Sequence, residues 1–264
     1  MKKKWLMALL LVIPVFSAGA GIMVVGSLTH EKTCHAGEVY QGEFVIRNTG
    51  GEEEEVRIYQ TDYRFSCDGT SEYGEPGSEK RSNAAWIEYS PQRFRLPPRE
   101  SRTVQYRITV PGTGLKDGTY WSILMVESVP QIDPATLETK SVGIRTVMRY
   151  GIQMISHMGE SGVRQIRFIN TELRSETGEK MLDVDIENTG ERMVRPFVWV
   201  ELFGEDGTRA GIFESKACRI YPETSVRHRI VLKNVKAGIY KALVVADCGD
   251  DDLFGIQYTL QVDQ

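Results

Sequence analysis

Ile46-Arg47-Asn48-Thr49-Gly50 occurs again, in nearly the same form, as Ile186-Glu187-Asn188-Thr189-Gly190. Three short motifs in one order indicate two copies of a single supersecondary plan. The two further motifs are Arg95-Leu96-Pro97-Pro98 with its counterpart Arg219-Ile220-Tyr221-Pro222, and Lys116-Asp117-Gly118-Thr119-Tyr120 with its counterpart Lys236-Ala237-Gly238-Ile239-Tyr240.

Alternation of apolar and polar residues runs through both copies. In the first, Val104, Tyr106 and Ile108 alternate with polar residues between the turn signals Pro97-Pro98 and Pro111-Gly112. A period of two predicts β-strands with one buried face, and short strands separated by turns predict β-sandwiches. Beyond the N-terminal segment, no stretch keeps a helical period for more than two turns. The sequence therefore predicts an all-β chain with two antiparallel sandwiches in tandem.

In the second copy one strand is apolar on both faces, because Val198, Val200 and Leu202 alternate with Trp199, Glu201 and Phe203. We expect this strand to lie in the centre of its sheet.

The Gly-x-Tyr motifs, at Tyr120 and Tyr240, predict a tyrosine corner in each copy. The first copy is longer, and its extra residues, mostly 64–84, predict a long loop or an added hairpin. The pattern breaks between His157 and Gly162, so we expect domains at residues 21–157 and 163–264.

The N-terminal segment has the organisation of a secretory signal peptide, with Lys2, Lys3 and Lys4 before the apolar run Trp5–Phe16 and a small-residue cleavage site at Ala18-Gly19-Ala20. We expect residues 1–20 to be removed after Sec export to the periplasm or the exterior. An uncleaved anchor is the alternative, since the residues after Ala20 stay apolar. The export signal is the only membrane association that the sequence predicts.

Charge and motif content favour a binding protein. Loss of the three lysines would take the formal net charge from −4 to −7, which gives no basic face for nucleic acid. None of the four histidines lies in a nucleophile or metal motif. We therefore expect no enzyme activity, no catalytic residue, no cofactor, no metal and no small-molecule substrate.

The four cysteines divide evenly between the copies, as Cys34 and Cys67, then Cys218 and Cys248. An exported chain with an even number of cysteines suggests disulfides. One bridge in each copy is the simplest of the three possible connectivities. The competing interpretation is a metal site, because His30, Cys34 and His35 lie close together in the chain.

The longest alternating run ends the first copy, from Val142 to Ile155, after the loop-like stretch 130–141. Most of it is expected to be a core strand. Its beginning can extend past the sandwich and offer apolar side chains and an open backbone edge to a partner, as in strand addition. The side chains expected to fill the groove of a partner are Val142, Ile144, Thr146 and Met148, with Arg145 and Arg149 orienting it.

The order of features in the first copy resembles the N-terminal domain of periplasmic pilus-assembly chaperones, which are pairs of immunoglobulin-like domains. The most specific resemblance is the close of the penultimate strand, Glu127-Ser128-Val129-Pro130, followed by the alternating strand with two arginines. The other features that match are Phe44–Asn48, Ala85-Trp86-Ile87, Phe94–Pro98 and Tyr120–Val126. The same region is similar to extracellular sandwich domains that bind peptidoglycan or WxL proteins.

The resemblance implies a chaperone that holds a pilin-like or other envelope subunit by strand addition. In those chaperones a basic pair, one residue from the first strand and one from the last, anchors the terminal carboxylate of the subunit. Arg145 or Arg149 matches the last strand, while the first strand has no arginine and Lys32 is the only basic residue near it. The alternative function is an envelope structural module that binds peptidoglycan or surface proteins.

Overall fold

The computed structural model of the protein describes residues 21–129, 147–176 and 178–263, so the predicted signal peptide lies outside the described residues. The described chain is all-β apart from one short 3₁₀ turn at Ala84–Trp86, as the alternation predicts. The first ten strands are β1 (Ile22–Val25), β2 (Thr29–Cys34), β3 (Val39–Asn48), β4 (Glu54–Phe65), β5 (Ser71–Gly74), β6 (Ile87–Ser90), β7 (Arg93–Leu96), β8 (Ser101–Thr109), β9 (Gly118–Val129) and β10 (Arg149–Met158).

These ten strands form a first sandwich of two sheets. One sheet has the order β1–β3–β8–β6, and the other has the order β2–β10–β9–β4–β5 with β7 also paired to β4. The inward residues of both sheets, such as Ile46, Val104 and Leu124, are fully buried in one core. Burial of these alternating apolar side chains is the main favourable term in the stability of the sandwich.

The first strand of the chain is divided between the two sheets. β1 pairs antiparallel with β3, and β2 then joins the opposite sheet by pairing parallel with β10. Gly26 lies at the crossover with φ of 100°, a left-handed conformation that only glycine adopts at low cost. The switch places a parallel neighbour beside the second half of β10 only.

A second sandwich follows, built from two smaller sheets of orders β11–β12–β15 and β14–β13–β16–β17 around a core of its own. β13 lies between β14 and β16, so the prediction of a central strand is confirmed. We keep the predicted limits 21–157 and 163–264 as proposed domain boundaries. The strands are β11 (Ile166–Glu176), β12 (Glu179–Asn188), β13 (Phe197–Phe203), β14 (Arg209–Glu214), β15 (Ser225–Val231), β16 (Gly238–Asp247) and β17 (Leu253–Val262).

The repeated asparagine makes the same set of hydrogen bonds in both sandwiches. Asn48 is fully buried, its Nδ2 donates to the carbonyls of Glu52 (2.7 Å) and Leu96 (3.0 Å), and its Oδ1 accepts from the Gly50 N–H (2.8 Å). Leu96 belongs to the second repeated motif, so the side chain ties the first motif to the second. A buried carbonyl without a partner is costly, and this amide satisfies the buried carbonyl of Leu96 together with the partly buried carbonyl of Glu52.

Asn188 repeats these bonds in the second sandwich. Its Nδ2 donates to the carbonyls of Arg192 and Ile220, both at 2.8 Å, and its Oδ1 accepts from the Gly190 N–H at 2.9 Å. Two copies of one sequence motif thus build two copies of one hydrogen-bonded junction.

The predicted tyrosine corners are confirmed. The Tyr120 hydroxyl donates to the Lys116 carbonyl at 2.9 Å, and the Tyr240 hydroxyl donates to the Lys236 carbonyl at 3.1 Å. Each bond closes the turn that leads into the penultimate strand of its sandwich, β9 or β16.

The extra residues of the first copy form a hairpin, because β5 folds back on the end of β4. This hairpin reaches the second sandwich, where the Cys67 N–H donates to Ser225 Oγ at 3.0 Å. Beside it the rings of Trp121 and Tyr221 stack with centroids 4.6 Å apart and planes 6° from parallel. Both rings are buried with Ile155, so a small third core joins the two sandwiches.

All four cysteines are free thiols in the structure, so neither predicted disulfide is formed. Two strands, β10 and β9, separate β2, which ends at Cys34, from β4, whose hairpin carries Cys67. Neighbouring strands lie about 4.8 Å apart, so β2 and β4 are about 14 Å apart. This is twice the largest Cα separation that a disulfide spans.

The second pair is also separated by a strand. Cys218 lies two residues before Ile220, which bridges to Val194 on one side of the segment that enters β13. Cys248 follows β16, which pairs with the other side of β13. Burial raises the pKa of the Cys34 and Cys248 thiols to about 11, so both are protonated at neutral pH.

The metal alternative has no geometric support in the part of the chain that the structure describes, where no three His, Cys, Asp or Glu side chains are placed to hold an ion. His30 Nδ1 instead lies 2.9 Å from the Tyr106 hydroxyl. No helix within the same residues is long and apolar enough to cross a membrane.

Replacing Asn48 or Asn188 by alanine should lower the free energy of unfolding by about 2–3 kcal/mol each, because each change leaves one buried carbonyl, one partly buried carbonyl and one N–H without this partner. Urea unfolding measures the loss. Asn170→Ala, at an exposed position of β11, is the control and should change stability by less than about 0.5 kcal/mol. Equal effects at the buried and the exposed asparagine would contradict the shared role.

A candidate partner-binding edge

β10 has a strand on both sides for only part of its length. It pairs with β9 throughout, from Arg149 opposite Glu127 to Met158 opposite Gly118. β2 begins only at Thr29, opposite Gln153. Among the described residues, the stretch from Arg149 to Ile152 therefore has a strand neighbour on one side alone.

The direction of the free backbone groups follows from the first bond beyond this stretch. The Gln153 N–H donates to the Leu28 carbonyl at 2.9 Å, on the side of β2. Because successive residues of a strand point their polar groups to opposite sides, the N–H and C=O groups of Arg149 and Gly151 face that same side. An unpaired row of this kind is a template for another strand.

Side-chain burial changes along the strand. Ile152 and Met154 are fully buried in the first core, and the Tyr150 hydroxyl donates to the Ile22 carbonyl at 3.2 Å. Directly before the strand, Val147 is 43% and Met148 45% exposed. We call residues 147–152 the open edge, since they combine free backbone groups with exposed apolar side chains at one end of the sheet.

The structure brings together two of the predicted partner-binding residues, Met148 and Arg149, which are adjacent on the open edge. The other four on this segment, Val142, Ile144, Arg145 and Thr146, lie outside the described residues.

Lys32, the basic residue that the sequence places near the first strand, lies far from Arg149 in the structure. Lys32 is opposite Ser156, seven residues along β10 from Arg149, which corresponds to about 23 Å. Its ammonium group lies 2.7 Å from Glu38 Oε1 and 4.3 Å from the centre of the Tyr40 ring. Lys32 and Arg149 cannot hold one carboxylate together.

Arg149 is instead part of a row of charges across three strands. Arg57 on β4, Glu127 on β9 and Arg149 on β10 are direct cross-strand neighbours. Arg149 Nε lies 2.7 Å from Glu127 Oε2, and the Arg57 guanidinium donates to Glu127 Oε1 through both Nε (3.0 Å) and Nη2. The Tyr59 hydroxyl adds a bond to Oε2 at 3.3 Å. We call Arg57, Glu127 and Arg149 the charge row.

The charge row is asymmetric in burial. The Glu127 side chain is 7% exposed, whereas those of Arg57 and Arg149 are about half exposed. Burial by itself would raise the pKa of the Glu127 carboxyl, but the hydrogen bonds from Arg57 and Arg149 outweigh it and the pKa is lowered. The bond to Glu127 likewise raises the pKa of Arg149. The row thus carries one buried negative charge and two accessible positive charges, a net charge of +1 beside the open edge.

Sequence reasoning missed Arg57, the role of Glu127, and Gly151. Glu127 was visible as part of the strand-closing motif, but its partners follow from the pairing of β4, β9 and β10. Gly151 leaves room for the neighbouring strand: a Cβ there would lie 3.3 Å from Ile123 Cγ2 and 3.5 Å from Met125 Sδ.

No model of a known protein family and no curated protein matches the sequence. Solved structures with similar folds include a chain in the structure titled as a chaperone–tip adhesin complex of CFA/I fimbriae biogenesis. It is 13% identical, with 93% of this chain and 100% of that chain covered and a TM-score of 0.47.

The class 5 fimbriae chaperone CfaA is 13% identical, with 92% and 100% covered and a TM-score of 0.44. A chain of the CsuC–CsuE chaperone–tip subunit pre-assembly complex of Acinetobacter baumannii Csu pili is 16% identical, with 90% and 98% covered and a TM-score of 0.43. Likenesses at this level carry no conclusion about what this chain binds.

Glu127→Gln should lower the free energy of unfolding by about 1 kcal/mol at pH 7, a modest value because both arginines are half exposed. The folded pKa lies below the ordinary value of 4.5, so the stabilisation is present above that value and lost as the pH falls through the folded pKa. The difference between the two proteins should therefore disappear in acid, as urea unfolding at several pH values would show. Glu88→Gln, at an exposed position of β6, is the control and should show no such difference at any pH.

Proposed function

We propose that this protein is an assembly chaperone of the cell envelope, which binds an incomplete β-sandwich subunit by adding the open edge of β10 to it. The observation that carries the proposal is that residues 149–152 have a strand on one side only, while Val147 and Met148 directly before them are exposed. Such a protein acts by binding and needs no catalytic group.

The backbone of the open edge supplies affinity. The polar groups of Arg149 and Gly151 point away from β9, so a strand laid beside β10 can exchange main-chain hydrogen bonds with them. Exposed Val147 and Met148 supply apolar contacts at the same place. In the sequence, Val142, Ile144 and Thr146 continue the alternation of Met148, and we propose that they enter the groove of the partner.

The charge row holds the first residue of the open edge strand in place from the neighbouring strand β9. A strand that must capture a partner binds better when it is already held in the bound conformation, because less conformational entropy is lost. Glu127 fixes Arg149, the first residue of β10, from the neighbouring strand. The two exposed guanidinium groups leave positive charge beside the edge, which favours a partner segment with acidic residues or a terminal carboxylate. Arg145 is proposed to add to this charge.

The place of action follows from the N-terminal signal. We propose export through the Sec route and function in the periplasm or outside the cell, with a pilin-like or other envelope subunit as the partner. Such a subunit exposes a groove until its missing strand is supplied, and the open edge fits that requirement.

The proposal is tested by co-expressing the chain with a pilin-like subunit from its genomic neighbourhood and measuring how much subunit co-purifies. Gly151→Pro removes an N–H on the open side without disturbing the bonds to β9, so capture should fall by about tenfold or more. Gly151→Ala places the same Cβ against Ile123 and Met125 but keeps the N–H, and is the matched control. Met148→Asp should also reduce capture.

Equal capture by the wild-type chain and Gly151→Pro would contradict strand addition at this edge. Sedimentation with purified peptidoglycan separates the alternative function. Strong sedimentation that is unchanged in Gly151→Pro, together with no capture of any subunit, would favour an envelope module that binds polymer.

A further inference from the structure

The outward face of one sheet of the second sandwich carries apolar side chains among its polar ones. In the sheet β14–β13–β16–β17 the inward residues, such as Val200 and Val244, are fully buried in the core. The cross-strand register places the other residues of β13 and β16 together on the outer side. The apolar side chains of this outer side, which we call the outer face, are Phe197, Trp199, Phe203, Ile212, Ile239, Leu243, Val245 and Leu253.

Five of these side chains are open to solvent: Phe197 (40%), Ile212 (40%), Ile239 (49%), Leu243 (36%) and Leu253 (63%). Antiparallel sheets with one buried face usually carry polar residues on the other. Several exposed apolar side chains on one face of a sheet, here with Glu201 and Asp247 between them, indicate a candidate interaction site.

The opposite sheet of the same sandwich shows that the outer face is a local property. On the outward side of β11–β12–β15, Asp183 and Asp185 are buried among arginines, with Arg227 Nε 2.7 Å from Asp185 Oδ1 and Arg229 Nε 3.1 Å from Asp183 Oδ1. On that side, the carboxylates are neutralised by the arginines of the same sheet. The outer face is covered less completely, because it carries the pair of Glu201 with Arg209 but leaves five apolar side chains open to solvent.

Charges at the two ends of the outer face have opposite signs. At one end Glu214 is opposite Trp199, and Asp247 is opposite Phe197. At the other end Phe203 lies between Arg209 and Lys241. Glu201, between the ends, lies 3.6 Å from Arg209.

This pattern suits a second copy of the same chain. An interface between identical subunits related by a two-fold axis uses the same patch on both, so that patch must be complementary to itself. A face that is acidic at one end and basic at the other meets this condition when the two copies pack with their strands antiparallel. A face with a single sign of charge would not.

We propose that two copies of the chain associate through the outer faces of their second sandwiches. The two-fold axis passes over the row of Ile212, Glu201 and Leu243, so that Ile212 and Leu243 meet their own copies. Each Glu201 carboxylate keeps Arg209 of its own chain, 3.6 Å away, as its partner. Trp199 then lies over Phe203 of the second copy, and Glu214 lies over Arg209 of the second copy.

The size of the face is adequate for a dimer in the micromolar range. Four strands about 4.8 Å apart and nine residues of about 3.3 Å give a planar footprint of roughly 19 Å by 30 Å. Side-chain relief raises the buried area above this planar value, towards the roughly 800 Å² that each partner contributes to a standard interface. The proposal does not depend on strand addition at the open edge.

Sedimentation equilibrium of the purified chain at increasing concentration tests the proposal. The wild-type chain should approach twice the monomer mass at tens of micromolar. Leu243→Asp places two carboxylates against each other at the axis and should raise the dissociation constant by at least tenfold. Val39→Asp, which replaces an equally exposed apolar residue of the first sandwich (44%), is the matched control and should associate like the wild type.

A charge exchange adds a test that does not alter the apolar residues. Glu214→Arg and Arg209→Glu should each weaken association several-fold, and the double variant should restore it, because the opposite charges again meet across the axis. A monomer at every concentration up to several hundred micromolar would overturn the proposal. A dimer whose dissociation constant is the same in Leu243→Asp would also overturn it. If Gly151→Pro, and not Leu243→Asp, abolished association, the contact would lie at the edge of β10.

Discussion

A buried asparagine amide in each sandwich is the interaction on which the rest of the fold depends. Where a strand ends and the chain crosses over the core, buried and partly buried backbone carbonyls have no strand to pair with. Asn48 and Asn188 each donate to two such carbonyls and accept one N–H. Each amide therefore ties the end of one strand to a distant segment of chain, and it sets how the sheets of its sandwich meet at that end.

The geometry of β10 follows from this framework. The tyrosine corner at Tyr120 positions the start of β9, and β9 pairs with the whole of β10. The switch of the first strand at Gly26 delivers β2 to the second half of β10 and not to the first. One half of β10 is consequently interior, whereas the other half is an edge that the charge row holds in place.

The two sandwiches offer different surfaces although they share one plan. The first presents backbone polar groups at an edge, and the second presents apolar side chains on a face. Trp121 and Tyr221, stacked at the junction, keep the two in a defined arrangement. A protein with these two surfaces can hold one partner at the edge while the face contacts another molecule.

The sequence by itself determined the strand content, the duplication, the central position of β13 and the tyrosine corners. These depend on local alternation, turn residues and repeated motifs. Only the tertiary structure decided which distant residues meet. It placed Arg57 and Arg149 on either side of Glu127. It also separated Lys32 from Arg149, and it placed two strands between Cys34 and Cys67. The physical reason is that a period of two assigns each side chain to a face of its strand, whereas neighbours across a sheet are set by strand order and register. Those in turn come from the packing of both sheets at once, which no single stretch of sequence contains.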